Sequence, residues 1–391
     1  MKKLLTLALL FSVVSCAQAQ SNGGFPPPVT TTRSASYYLY LPTAAGAAGP
    51  VSPEEMLANE QIDFPNMAAY GFNTVYLVEF RSKFDPLLDN QYNREGIANL
   101  RMELEAARQN GLRVFLGLNF GSGYQIGIDS TPEALLARNA KFQSWLQFVQ
   151  YLLMNIDDYR DMVYPIVFEE GQADATYNLI TNADAAARAF QQTLGNLPAL
   201  LPAALRAKWT FGWYGATTAL YSHTPAQVGF DWVGEGAYFF DPTITLSWLA
   251  ATDKGLTDAQ ISAKLEDMFG KVGALYPGMP IVFTEGGYYT CSSETFNRQG
   301  EVYALLAEFA ISRGYGLNLW GYRSLLTPEQ ECAERGGKGG HSMGNADGSP
   351  RPAMLAVSAA ITGHPTEQMM FIAPLPGGRP EPRKVERHGR D

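Results

Sequence analysis

The sequence predicts an α/β fold, a single-domain (β/α)8 TIM barrel, on three observations. Eight short apolar runs of strand length follow one another, mostly separated by segments of helical period. Runs such as Ile281-Val282-Phe283 are continuously apolar, as in parallel strands buried on both faces. The chain has 391 residues and 46% hydrophobic side chains, ample for one large core. Barrels of this kind run past about 250 residues as one domain, so the length does not require two.

The expected organisation is a signal segment over residues 1–20, a flexible tether over 21–34, the barrel over 35–365 and a disordered tail over 366–391. Lys2 and Lys3 precede the apolar stretch Leu4 to Val14, which is too short for a stable membrane span. Two cleavage readings stay open. Ala17-Gln18-Ala19 fits ordinary signal peptidase, whereas Val13-Val14-Ser15-Cys16 resembles a lipobox that would leave Cys16 lipidated and the protein attached to a membrane. Either reading implies export, to the cell surface, the periplasm or the medium. Pro26-Pro27-Pro28 and Thr30-Thr31-Thr32 give the tether its composition.

Tyr37 to Leu41 is the first expected strand. Ser52-Pro53-Glu54-Glu55 opens a helix with an N-cap, Pro at N1 and early acids, and Gly71 stops it. Thr74 to Phe80 is the second strand. Ile97, Leu100, Leu104 and Ala107 share one face of the helix that follows, which Gly111 ends. Arg113 to Asn119 is the third strand, and Thr131-Pro132-Glu133 starts a helix running through Leu153.

Val163 to Glu170 is the fourth strand, although Pro165 suits a central strand only near its start. An Ala-rich helix is expected from Asp184 to Ala207, then a fifth strand over Trp209 to Tyr214 and a sixth within Phe230 to Phe240. Thr257 to Leu275 is helical, and Gly278 to Glu285 is the seventh strand. Val302, Leu305, Leu306 and Phe309 stripe the next helix. Tyr315 to Tyr322 is the eighth strand, and Ala353 to Ile361 closes the barrel.

Several function classes drop out. A net charge of -9 without a long basic stripe argues against a nucleic-acid partner. With four His, no H-E-x-x-H and no C-x-x-C, no metal or organic cofactor is implied. Cys291 and Cys332 form an even pair once Cys16 is set aside, and export would permit a disulfide. Gly340-His341-Ser342-Met343-Gly344 fits the G-x-S-x-G elbow of esterases, but neither the preceding strand nor the following helix is present. It reads as a glycine-rich loop at the barrel mouth.

Two expected strands end in carboxylates, the fourth at Glu169 and Glu170 and the seventh at Glu285. Chemistry in such barrels gathers at the C-terminal rim. Cleaving a glycosidic bond needs an acid at the leaving oxygen and a second carboxylate at the anomeric carbon. Spacing decides the outcome: about 5–5.5 Å gives covalent retention and about 6.5–9.5 Å gives inversion through water.

Pro280-Ile281-Val282-Phe283-Thr284-Glu285-Gly286 resembles the nucleophile strand of the clan A glycoside hydrolases, the cellulase-like and mannanase-like barrels of family 5 and relatives. Leu319-Trp320-Gly321-Tyr322 is similar to their strand-eight segment, and Gly71 to Val75 to their approach to strand two. The resemblance implies a retaining glycoside hydrolase acting on a poly- or oligosaccharide, with Glu285 as nucleophile and Glu170 as acid/base, and the N-terminal segment adds export. It further implies Trp320 as a floor beneath the sugar and Tyr238 as a partner of the nucleophile. Glu169 stands where the clan has an Asn that holds the sugar, so the acid stays open between Glu170 and Glu169. Tyr76 stands in place of an Arg, Gly171 in place of a Pro, and Gly236 in place of a His.

Asn119 and Trp213 are further candidates for sugar contact, with Glu235, Tyr288 and Tyr289 as other rim residues. The altered positions motivate a second reading, a non-catalytic surface carbohydrate-binding protein on a barrel that has lost its chemistry.

Overall fold

The computed structural model describes residues 24–37, 40–42, 48–50, 52–77, 90–119, 143, 146–168, 197–214, 229–242, 244, 254–327, 329–331 and 340–369. Eight parallel strands close into a barrel: β1 (Arg33–Tyr37), β2 (Thr74–Leu77), β3 (Arg113–Asn119), β4 (Val163–Phe168), β5 (Gly212–Tyr214), β6 (Trp232–Phe240), β7 (Ile281–Tyr289) and β8 (Gly316–Leu319). Each pairs with its sequence neighbours, and β1 pairs with β8 to complete the ring. This is the expected (β/α)8 fold.

The helices form where their end signals are strong. In α1 (Pro53–Ala69), Ser52 accepts from the Glu55 backbone while the Glu55 side chain returns to the Ser52 N–H, a complete capping box. Thr257 and Gln260 do the same for α3 (Asp258–Leu275). α2 (Asn90–Gln109) buries the expected Ile97, Leu100, Leu104 and Ala107. α4 (Phe296–Ser312) buries Val302, Leu306 and Phe309, and α5 (Pro352–Thr362) packs beside it.

Three expectations need correction. The first barrel strand is Arg33–Tyr37, whereas Tyr40–Pro42 belongs to a small antiparallel pair with Ala48–Pro50. Ser34, Ala35 and Ser36 are small and buried, so this strand lacks the apolar run that marks the others. The Ala-rich stretch ends in two short helices, Leu197–Leu200 and Ala203–Arg206, because Pro202 lacks the N–H that would carry one helix through; residues 184–196 lie outside the described set. The tether expected over 21–34 meets the barrel well before its end. Val29 is buried under the barrel floor, and the Tyr164 hydroxyl donates to the Pro27 carbonyl at 2.8 Å.

Pro165 is the third residue of a central strand. It is tolerated there because pairing with β5 begins only at Ile166, so the missing N–H costs no bond in that ladder.

Side chains divide cleanly between two layers. One cluster fills the barrel: Tyr76, Phe115, Tyr164, Ile166, Trp232 and Val282, with Trp320 above and Tyr214 and Tyr238 packed against it. A much larger cluster lies between strands and helices, including Phe211, Trp213, Val233, Phe239, Phe269 and Phe283. Gly212 makes room for the interior. A Cβ there would fall 2.0 Å from the Trp232 ring, so the indole occupies what a side chain would need.

Candidate active site

The site is built on β6 and β7, the two longest strands of the barrel. Plain alternation from inward-facing Val282 would send Thr284 inward and Glu285 outward. The register between the strands slips at this point: Glu235 pairs with Phe283, but Gly236 pairs with Glu285. Thr284 is the extra residue, and the bulge reverses the phase of everything after it. Glu285 therefore faces inward, while Gly286 faces out, where a Cβ would strike the Phe283 ring at 1.9 Å. Asn318 of β8 donates to the Thr284 carbonyl and holds the bulge from the other side.

Glu285 is the fifth of nine strand residues, deeper than a strand end, and its exposure is 0%. A carboxylate so placed must be compensated by hydrogen bonds. Two phenols supply them. Tyr238 of β6 donates to Glu285 Oε2, and Tyr214 of β5 donates to the same oxygen at 3.3 Å. A Cβ on Gly236 would lie 2.7 Å from the Tyr214 hydroxyl and 2.6 Å from the Glu285 carbonyl. Glycine is required there for both groups to fit.

Aromatic rings continue upward from this carboxylate. Tyr289 lies 5.5 Å from Tyr238 and stacks on Phe240 at 5.0 Å. His341 meets Tyr289 at 5.0 Å and Trp320 at 5.7 Å, joining the loop after β8 to this wall. Trp320 is anchored by its backbone: its N–H donates to the Gly286 carbonyl at 2.8 Å, and its carbonyl accepts from the buried Tyr303 hydroxyl at 2.9 Å. Gly321, at φ +82°, turns the chain beside His341.

The structure thus brings together Glu285, Tyr238, Trp320 and Tyr289 of the residues singled out from sequence. Trp213 is a correction. It points into the strand–helix layer and packs on Phe230 at 5.3 Å, because the chain through β5 alternates, with Trp213 outward, as is Phe211 just before the strand, and Gly212 and Tyr214 inward. Glu235 shares the outward face of β6 with Val233 and Ala237, and Tyr288 is buried among the outer cluster. Burial pushes the Tyr288 phenol up to about 12. Tyr76, in place of an Arg, stays inside the barrel, edge-on to Phe115. Asn119 ends β3 opposite Phe168, the last residue of β4, which puts it at the same rim. Its side chain, and Glu169 and Glu170, lie outside the described residues.

Tyr214 and His341 were not legible as site residues. For Tyr214 the signal was present in the alternation of Trp209 to Tyr214, which sets Tyr214 opposite the Trp209, Phe211 and Trp213 face.

Ser342 of the G-x-S-x-G match is no exposed nucleophile. It is buried and donates to Glu331 at 2.6 Å, while Arg351 spans Glu331 and the Ser342 carbonyl. Cys291 is disulfide-bonded, its partner lying outside the described residues. Among the described residues no group of three His, Cys, Asp or Glu could hold a metal, and no helix is long and apolar enough to cross a membrane.

No protein-family model matches the chain, and no curated protein is similar to it by sequence. Solved structures do match. A GH5 xyloglucanase from Bacteroides ovatus, in complex with a XXXG heptasaccharide, superposes with a TM-score of 0.58 at 12% identity, over 87% of this chain and 79% of that one. ZgEngAGH5_4, in complex with a cellotriose, gives 0.58 at 14% identity over 85% and 96%. The exo-beta-1,4-mannosidase Op5Man5 from Opitutaceae bacterium strain TAV5 gives 0.56 at 15% identity, over 89% of this chain and 62% of that one. The barrel of this chain has the fold of the family 5 glycoside hydrolases.

Proposed function

We propose that this protein is a glycoside hydrolase acting on a poly- or oligosaccharide, with Glu285 as nucleophile and Glu170 as acid/base. The observation that carries the reading is the inward Glu285 carboxylate, fully buried yet held by two phenols beneath a wall of aromatic rings. Hydrogen bonds to its charged form favour the ionised carboxylate a nucleophile needs. Ring faces with polar edges suit sugars, whose C–H patches lie on aromatic surfaces while hydroxyls reach the tips. The likeness to sugar-bound family 5 barrels supports the same reading.

In the retaining reaction, Glu285 attacks the anomeric carbon while Glu170 protonates the departing glycosidic oxygen. Water then attacks the glycosyl-enzyme, giving its proton to Glu170 and releasing Glu285. β4, which ends at Phe168, and β7 stand three strand steps apart around the ring; in this reading Glu170, two residues further on, would act from across the mouth. Glu169 and Asn119 would contact the sugar from that side, and Trp320 would form its floor. Residues 1–20 would direct export, with Cys16 lipidated or removed according to the cleavage site used.

The test is sugar release from β-glucans, xyloglucans, mannans and xylans by the exported domain, with Glu285→Gln beside the wild type. Cleavage by the wild type and a loss of at least about 10³-fold in the folded variant is the expected result. Equal glycan binding by both with no cleavage by either would overturn it in favour of a binding protein.

A further inference from the structure

We propose that Tyr214 is a positioning residue for Glu285, a second phenol that fixes the carboxylate in one rotation; this deepens the nucleophile reading and rests on it. The geometry is specific. Tyr214 and Tyr238 reach Oε2 from adjacent strands, β5 and β6. Two donors on one oxygen define the carboxylate plane, so the other oxygen is presented in a single direction.

The surroundings are shaped for that second donor. The Tyr214 hydroxyl lies 2.7 Å from where a Cβ of Gly236 would begin, so any side chain at 236 would displace it. Gly212 and Gly236 each leave a space, the first filled by the Trp232 ring and the second by the Tyr214 hydroxyl. Tyr214 itself packs against the barrel-filling cluster, so its ring is held by contact and only its tip does polar work.

Among the described residues, Tyr214 of β5 and Tyr238 of β6 are titratable groups whose hydroxyls bond Glu285. β8 contributes the neutral Asn318 amide, bound to the Thr284 carbonyl, and the Trp320 N–H on Gly286. Removing the Tyr214 hydroxyl therefore removes a donor from the charged carboxylate without adding a charge. The sign follows: losing a donor to the ionised form raises the pH at which Glu285 ionises.

The experiment uses Tyr214→Phe in the full chain, with Tyr238→Phe in parallel. Two readouts are taken: the pH profile of kcat/KM on the substrate found above, and the titration of 13Cδ-labelled glutamate by NMR, with Glu285 assigned through Glu285→Gln. For Tyr214→Phe the expected result is a fall in kcat/KM of about tenfold, mostly in kcat, with the acid limb moved up by about half to one pH unit. The Glu285 resonance should titrate higher by a similar amount.

An unchanged acid limb and an unchanged resonance would overturn the role of Tyr214 while leaving the glycosidase reading standing. If the wild type cleaves nothing, the glycosidase reading fails separately. The NMR titration then still decides whether Tyr214 acts on Glu285. Should Tyr214→Phe fold poorly, Tyr214→Met, which lacks a donor and adapts to irregular space, is titrated in its place with the same expected direction.

Discussion

At the scale of single residues, Gly236 shows how closely this site is packed. A methyl group there would sit 2.6 Å from the Glu285 carbonyl and 2.7 Å from the Tyr214 hydroxyl, both well inside contact distance. Gly236→Ala should therefore cost about 1–3 kcal/mol, as overpacking in a filled interior does. Because the strain falls on the carboxylate and its donor, activity should drop by about tenfold or more even in variant molecules that remain folded. Urea unfolding gives the first number and assays at saturating substrate give the second. Wild-type stability together with wild-type rate would contradict the packing described. The position was readable in sequence only as a glycine where a histidine was expected, since nothing along β6 announces a hydroxyl arriving from β5.

At the scale of elements, the bulge between β6 and β7 decides which way Glu285 points. The carboxylate and its Gly-Gly successor were visible in the sequence, as was the buried strand carrying them. The extra residue was not, because a bulge is a relation between two strands and period-2 reading treats each alone. The same limit explains Trp213: an aromatic near a strand end looks available to a ligand until its register is known. β1 escaped for a different reason, since its Ser-Ala-Ser core carries no apolar run.

Another element-level feature ties α1 to the loop after β8. Arg323 reaches both oxygens of Asp63 at 2.7 Å, Tyr37 donates to the same carboxylate at 2.7 Å, and Arg323 also reaches Asn59 at 2.6 Å. Burial raises the Asp63 carboxyl against the opposing pull of Arg323. Arg323→Met should cost about 3–5 kcal/mol by leaving a buried carboxylate without its counter-charge, and Asp63→Leu added to it should recover much of that loss. Chemical unfolding of the two variants checks the order. A single variant as stable as the wild type would show that the pair contributes nothing there.

At the scale of the whole molecule, the loops after β7 and β8 meet over the mouth. Thr290 and Gly340 exchange backbone hydrogen bonds, at 3.0 and 2.7 Å, just beside the disulfide-bonded Cys291. A Cβ on Gly340 would strike Glu331, so these two residues, one before and one after Cys332 in the sequence, lie together there. Non-reducing peptide mapping should find Cys291 joined to Cys332, and reduction should lower stability by about 2–4 kcal/mol. A linkage to Cys16 would contradict that pairing. The fold was legible because a barrel repeats one signal, a buried run and then a helix with strong caps. The candidate site was half legible: motif-bearing residues on β7 and β8 stood out, whereas closure of the barrel brings Tyr214 to Glu285 and the loop after β8 brings His341 to Tyr289 and Trp320.

The nucleophilic role proposed for Glu285 requires a covalent bond from its carboxylate to the sugar. Its most direct test is intact and peptide mass spectrometry after incubation with an activated 2-deoxy-2-fluoro glycoside matched to the substrate identified by sugar release. One added glycosyl group per chain, on the peptide containing Glu285 and absent from Glu285→Gln, is the result expected. A label on any other residue, or turnover of the natural substrate with inversion and no label, would contradict it.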